Sequence, residues 1–305
     1  MRIVFMGTPE FSVASLDALV KNGYNVVGVV TAPDKPAGRG LQLQQSAVKE
    51  YALANNLHIL QPVKLKDPAF IEELQALKAD LQVVVAFRML PEMVWSMPPL
   101  GTINVHASLL PNYRGAAPIN WAIINGEKES GVTTFKLQHA IDTGNILFSD
   151  KTAIRDDETA GELYDDLMHR GAQLLIKTVA ALAAGNVEET PQSHIPEDQI
   201  KHAPKLSKET GHIDWAQPLD NVYNLVRGLN PYPTAWTTLQ GKGLKIFKAT
   251  KELAPPSVQP GEYVTDGKTF LKMAAADGYL VLQEIQLEGK KKMDVESFLR
   301  GMRLA

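Results

Sequence analysis

The chain has 305 residues, 45% of them hydrophobic, a formal net charge of -3 and no cysteine. Such a chain can bury a large core and fits about two domains at roughly 150 residues each. Without cysteine there are no disulfides, thiolate nucleophiles, thiolate-bound zinc or iron–sulfur clusters, so any chemistry falls to histidine, carboxylates, amides and hydroxyls.

Charge divides unevenly near Ser207. Residues 1–207 carry 18 Lys and Arg against 23 Asp and Glu, a balance of -5, and residues 208–305 carry 13 against 11, a balance of +2. A mildly basic C-terminal part suits a polyanionic partner, and equally a solvated surface. The opening MRIVFMG breaks at Gly7 and Pro9, too early for a signal peptide, and no apolar run nears the roughly 20 residues that cross a bilayer. A cytoplasmic protein without membrane segments is expected.

RIVFMG reads as a strand, and FSVASLDALVKNG follows with Val13, Leu16, Leu19 and Val20 at helical spacing. The turn between them, GTPEFS, lacks G-x-G-x-x-G and puts Pro9 and Glu10 where a phosphate needs backbone approach and positive potential, which rejects a nicotinamide site. NVVGVVT, a helix around SAVKEYALANN, DLQVVVAF and GTINVH continue the alternation, predicting a parallel sheet covered by helices. The loop from Thr31 to Lys49 is longer than the usual two to six residues, which marks mobility or a task.

GVTTFKLQH and GNILFSDKTAI are further strand candidates, and ETAGELYDDLMHRGAQLLIKTVAALAAG predicts a long amphipathic helix ended by Gly185. EETPQSHIPEDQIKHAPK is polar and proline-punctuated, as linkers are. Beyond it come helix-like LDNVYNLVRGL and five short strands, TAWTTL, LKIFKA, GEYVT, TFLKMA and YLVLQEIQ. These predict a small β-barrel, of which the oligonucleotide-binding (OB) type is one option. The expected division is a catalytic domain over 1–187, a linker over 188–207 and a C-terminal domain over 208–305.

The chemistry concentrates in GTINVHASLLPNYRG, where Asn104, His106 and Ser108 alternate and so would share one side of an extended strand. The carboxyl end of such a strand is where ligands bind in open α/β sheets. Asp142, in HAIDTGNILF between two strand candidates, would orient the imidazole and stabilise its charged form. An amide donor, an imidazole and a carboxylate suit acyl transfer to an amine through a tetrahedral intermediate, with Asn104 binding the oxyanion. A serine hydrolase using Ser108 is disfavoured, because no G-x-S-x-G elbow is present and Ser108 precedes a Leu-Leu-Pro turn. Tyr113 and Arg114 either line a pocket or anchor the loop. No metal-ligand spacing is evident, so no metal is expected.

NVHASLLPNYRGAAPINWAI and IDTGNIL, together with MGTPEFS, KLSKETGHIDW and RGLNPYPTAW, resemble the N10-formyltetrahydrofolate-dependent formyltransferases over essentially the whole chain. The resemblance implies an α/β fold with a Rossmann-like, mostly parallel sheet and helices on both faces, plus a small open C-terminal β-barrel of the OB type. It implies Asn104, His106 and Asp142 as catalytic residues. It places the formyl donor, 10-formyltetrahydrofolate, across Ser108, Leu109, Leu110 and Pro111, with its pterin near Phe87, Arg88, Met89 and Leu90, where Arg88 stands at a position often occupied by glycine. In family members acting on initiator methionyl-tRNA, the loop matching DKPAGRGLQLQQSAVK enters the acceptor arm, so Arg39 and Lys35 become tRNA contacts, with Leu41 and Gln42 where relatives often carry lysines. Lys242, Lys245 and Lys248, and the run Lys290 to Lys292, would approach tRNA phosphates. The expected activity is formyl transfer to the α-amino group of methionine on initiator tRNA, by a monomer. A small-molecule amine as acceptor, hydrolysis of the donor, or a non-catalytic RNA-binding protein on the same fold are the alternatives.

Overall fold

The computed structural model describes residues 1–37, 42–192 and 195–301. They form two compact units: Met1–Arg114, Gly131–Thr152 and Tyr164–His202 make the first, and Gly115–Ser130, Ala153–Leu163 and the chain from Ala203 onward make the second.

The first unit is built on seven strands, β1 (Arg2–Gly7), β2 (Asn25–Val30), β3 (Ile59–Leu60), β4 (Leu81–Val85), β5 (Thr102–His106), β6 (Glu129–Lys136) and β7 (Ile146–Ala153), in the order β7-β6-β5-β4-β1-β2-β3. Strands β3, β2, β1, β4 and β5 pair in parallel, and β6 joins β5 antiparallel. The near-continuous apolar runs of β1 and β4 follow from this position: Ile3, Val4, Phe5 and Met6 are all fully buried, because both faces of the central sheet are covered. Helices α1 (Glu10–Lys21), α2 (Ala47–Ala54), α3 (Pro68–Ala76), the short α4 (Glu92–Trp95) and, from Tyr164 on, the long α6 (Ala160–Ala184) complete the alternation, whereas α5 (Pro118–Ile124) belongs to the second unit. On one face, Phe70 and Leu74 of α3 pack with Val4, Met6, Val30 and Val84.

Local chemistry sets the ends of these elements. Ser46 caps α2 by accepting from the Lys49 amide, and α6 opens with a reciprocal capping box between Thr159 and Glu162 before ending at Gly185, whose φ is +69°. The β1–α1 turn is tight because the Ser12 hydroxyl donates to the Val85 carbonyl, which leaves no room for a side chain at Gly7.

In the second unit, β8 (Ala235–Leu239), β9 (Lys242–Glu252), β10 (Tyr263–Thr265), β11 (Leu271–Ala274) and β12 (Tyr279–Leu287) form an antiparallel sheet in the order β8-β9-β12-β11-β10, an open, curled half-barrel. These are the five strands read from the sequence. Their inner residues, including Leu244, Ile246, Leu280, Leu282 and Ile285, share one core with Leu219, Val222 and Val226 of α7 (Leu219–Gly228) and Val295, Phe298 and Leu299 of α8 (Val295–Gly301). Among the described residues, no helix is long and apolar enough to cross a membrane.

Candidate active site

Asn104 and His106 sit on β5, opposite Phe135 and Thr133 of β6, toward the strand's carboxyl end. Spacing of two on a pleated strand gives them a common face. The His106 ring is buried, packing edge-on at 6.4 Å from Phe135, and its Nε2 donates to the main-chain carbonyl of Tyr113 at 2.8 Å. A carbonyl only accepts, so the proton on Nε2 is fixed and Nδ1 is the ring atom left for chemistry. Nδ1 faces Asp142 Oδ2 at 3.8 Å, longer than a hydrogen bond and an ion pair only when the imidazole carries both protons. The structure therefore brings His106 and Asp142 together, as the sequence reading expects.

Both partners of the imidazole come from residues in left-handed backbone conformation, Tyr113 at φ +61° and Asp142 at φ +54°. Aspartate adopts that region more readily than most residues, whereas a bulky tyrosine does so only where its surroundings hold it. The segment before Tyr113 provides that restraint. Ser108 donates its hydroxyl to the Asn112 carbonyl at 2.7 Å, and Thr133 Oγ1 donates to the Ser108 carbonyl at 2.7 Å while accepting from the Leu110 amide at 3.2 Å. Strand β5 ends at His106, so Ser108 does not continue the alternation: it closes the 108–112 turn instead of facing the volume shared by Asn104 and His106. Thr133 is the residue that the sequence reading missed here, since its partners belong to a different element.

Asn104 Oδ1 is buried and, among the described residues, has no hydrogen-bond partner. Leaving such an atom unpaired costs about 1–3 kcal/mol, which a bound N–H group would recover. Arg114, one of the residues left open by the sequence, anchors the loop: its buried guanidinium donates to Gln192 Oε1 from Nε and Nη2 at 3.2 and 3.0 Å and pairs with Glu197 at 3.0 Å.

Of the residues expected around the donor, Leu110 and Pro111 are buried, Leu109 is partly buried, Leu90 lies in the core beneath the sheet, and Met89 is exposed. Arg88 turns its guanidinium onto the carbonyls of Pro62 and Val63, with its Cζ 5.4 Å from the centre of the Phe87 ring, and burial lowers its pKa. Arg39, with Leu41, lies outside the described residues; Lys35 is exposed on a short hairpin in which Lys35–Ala37 pairs with Gln42–Gln44. Below it, Asp34 accepts from Lys49 at 2.6 Å and from Gln61 at 2.8 Å, and the Lys49 contact chiefly holds its carboxyl below the ordinary range. In the second unit Lys242, Lys245 and Lys248 are all exposed on β9. A register shift between Ile246 and Ala249 re-phases the strand, so that Lys245 and Lys248, three residues apart, both reach solvent.

The model of the formyl transferase family matches residues 1–179, and that of the formyl transferase C-terminal domain matches residues 205–303. The chain belongs to the formyl transferase family. It is 55% identical to methionyl-tRNA formyltransferase of Parabacteroides distasonis, over 99% of this chain and 96% of the relative, and 53% identical to that of Flavobacterium johnsoniae, over 99% and 96%. Among solved structures it resembles the N-formyltransferase from Helicobacter canadensis in complex with folinic acid and dTDP-3-aminofucose, with a TM-score of 0.70, 21% identity and coverage of 95% of this chain and 99% of that one. It also resembles HypX from Aquifex aeolicus in complex with tetrahydrofolic acid, at a TM-score of 0.67 and 19% identity, covering 98% of this chain and 47% of that one. These two likenesses show the fold. The formyl transferase family uses formyl-folate donors, the donor class expected from the sequence.

Proposed function

We propose that the chain transfers a formyl group from 10-formyltetrahydrofolate to the free α-amino group of methionyl initiator tRNA, acting as a cytoplasmic monomer. The observation that carries this reading is the 55% identity to a methionyl-tRNA formyltransferase across both units, the C-terminal half-barrel included. Residues 1–187 would perform the transfer, and residues 208–305, joined through 188–207, would hold the tRNA.

In this reading the amine nitrogen attacks the formyl carbon, a new C–N bond forms, and the bond from that carbon to N10 of the donor breaks. The formyl oxygen becomes an oxyanion on the way, and the Asn104 amide N–H would stabilise it. His106 Nδ1, backed by Asp142, handles the proton that leaves the amine and must reach the departing nitrogen. The Tyr113 carbonyl keeps Nε2 out of that exchange. Ser108 to Pro111 and Phe87 to Leu90 would line the donor's pocket, and Arg39, Lys35, Lys242, Lys245 and Lys248 would meet tRNA.

The test is formylation of methionyl initiator tRNA by the purified chain with 10-formyltetrahydrofolate, with tRNA-free and small-amine controls. Formyl-methionyl product only when both substrates are present supports the proposal. Donor turnover without tRNA, or transfer to an amino sugar nucleotide with none to tRNA, overturns it. Arg39→Ala sharpens the test, since a tRNA enzyme loses acceptor efficiency on that change and an enzyme for small amines does not.

A further inference from the structure

Gln192 lies within the polar stretch that reads as a linker, yet the residue is only 3% exposed. Its amide nitrogen donates to two carbonyls of one turn, Asp142 at 2.9 Å and Gly144 at 2.6 Å, and its oxygen accepts both bonds from Arg114. One orientation of the amide thus satisfies both N–H groups and the oxygen, and the reverse orientation satisfies none of these partners.

The neighbouring residues bind the same turn. Thr190 exchanges two main-chain hydrogen bonds with Ile146, at 2.8 and 2.9 Å, and Glu189 accepts from Lys136 and, at 3.0 Å, from Asn145. Residues 189–192 therefore form a strap over the turn that carries Asp142. The turn needs such a hold. Asp142 is in left-handed backbone conformation, and Gly144 lies so close to Lys136 that a Cβ there would sit 1.6 Å from its carbonyl oxygen. Gln192 is the strap's only side chain, among the described residues, that reaches the carbonyl of Asp142 itself.

We propose that Gln192 is a positioning residue for Asp142: by clamping the carbonyls of Asp142 and Gly144, it sets the carboxylate against His106 Nδ1. Arg114 in turn fixes the amide's orientation. The proposal rests on the reading that Asp142 takes part in the transfer. The Gln192 amide is taken up by Arg114 and the carbonyls of Asp142 and Gly144, so its contribution belongs in turnover and not in binding.

The experiment is a double-mutant cycle on the full chain, read as steady-state formylation of methionyl initiator tRNA, with Gln192→Glu, Gln192→Met, Asp142→Asn and the two pairwise combinations. Glutamate keeps the size and the Arg114 contact but brings a second acceptor to two carbonyls, and methionine keeps only the size. Displacing a catalytic group by about 1 Å costs on the order of 100-fold. The expected result is a 10- to 100-fold loss of kcat for each Gln192 variant, with both KM values within about twofold and melting temperatures close to that of the unaltered chain. In the Asp142→Asn background, the same Gln192 changes should cost less than about threefold. Full, multiplicative losses in that background, unchanged kcat in the single variants, or losses that track a fallen melting temperature in both variants would overturn the proposal while leaving Asp142 in its role. Wild-type turnover in Asp142→Asn alone would instead remove Asp142 from the reaction, and the proposal with it.

Discussion

His106 donates from Nε2 to the carbonyl of Tyr113, seven residues further along the chain, and this single bond decides which face of the imidazole is chemically available. Nδ1 is left toward Asp142, and the proposed transfer uses the two residues together. We expect His106→Ala and Asp142→Asn each to lower kcat by about 100- to 10,000-fold, the range of a lost general acid or base. KM for tRNA should stay within a few-fold, and the double variant should be little worse than the more damaging single one. Turnover near that of the unaltered chain in either variant would remove that residue from the reaction.

Gly144 gives a steric test of the same turn. A methyl group there meets the Lys136 carbonyl, so Gly144→Ala forces the 142–146 backbone to move. The expected outcome is a loss of about 1–3 kcal/mol in unfolding free energy together with a fall in kcat. Chemical denaturation beside steady-state kinetics would check both; an alanine variant with undiminished stability would show that the turn yields more easily than its geometry indicates.

Acid should loosen the strap. The hydrogen bond from Lys136, and after it that from Asn145, hold the Glu189 carboxyl below the ordinary glutamate range. A folded-state value below the unfolded one means that the stabilisation is complete above the unfolded value, about 4.3, and is lost as pH falls through the folded one. For this partly exposed pair the effect is under about 1 kcal/mol. Glu189→Gln should therefore melt below the unaltered chain at pH 7, and the gap should close as pH is lowered through the carboxylate range. A gap that stays constant with pH would contradict this.

The basic face of β9 yields a salt-dependent prediction. Replacing the exposed Lys242, Lys245 and Lys248 with alanine should raise KM for tRNA and leave kcat nearly unchanged. For every lysine that neutralises a tRNA phosphate, its removal should make the slope of log affinity against log salt shallower by about 1. An unchanged slope in the triple variant would place the tRNA on another surface.

Much of the architecture is legible without coordinates, because its signals are local. The buried runs of β1 and β4, the alternation of the C-terminal strands, the period of α6 and its stop at Gly185 each reflect the backbone of a few neighbouring residues. The helix α3 carries a local signal too, Asp67 capping the Ala69 amide beside Pro68, but its apolar period is brief. Asn104 and His106 stand out because spacing of two on a strand is itself a geometric statement.

The remaining features depend on distant segments meeting. The end of β5 before Ser108, the fixed proton on His106 Nε2, the bulge that turns Lys245 and Lys248 both outward and the clamp of Gln192 on the Asp142 turn each join residues whose contact no local pattern encodes. Gln192 illustrates the reason most clearly. In sequence it is one polar residue among prolines and acids, and its meaning arises only when β6, the 142–146 turn and residues 189–192 are packed together, where buried carbonyls and a buried guanidinium must find hydrogen-bond partners. The sequence alone determined the elements, their class and the residue types able to transfer an acyl group; tertiary packing decided which nitrogen faces the carboxylate and what holds that carboxylate in place.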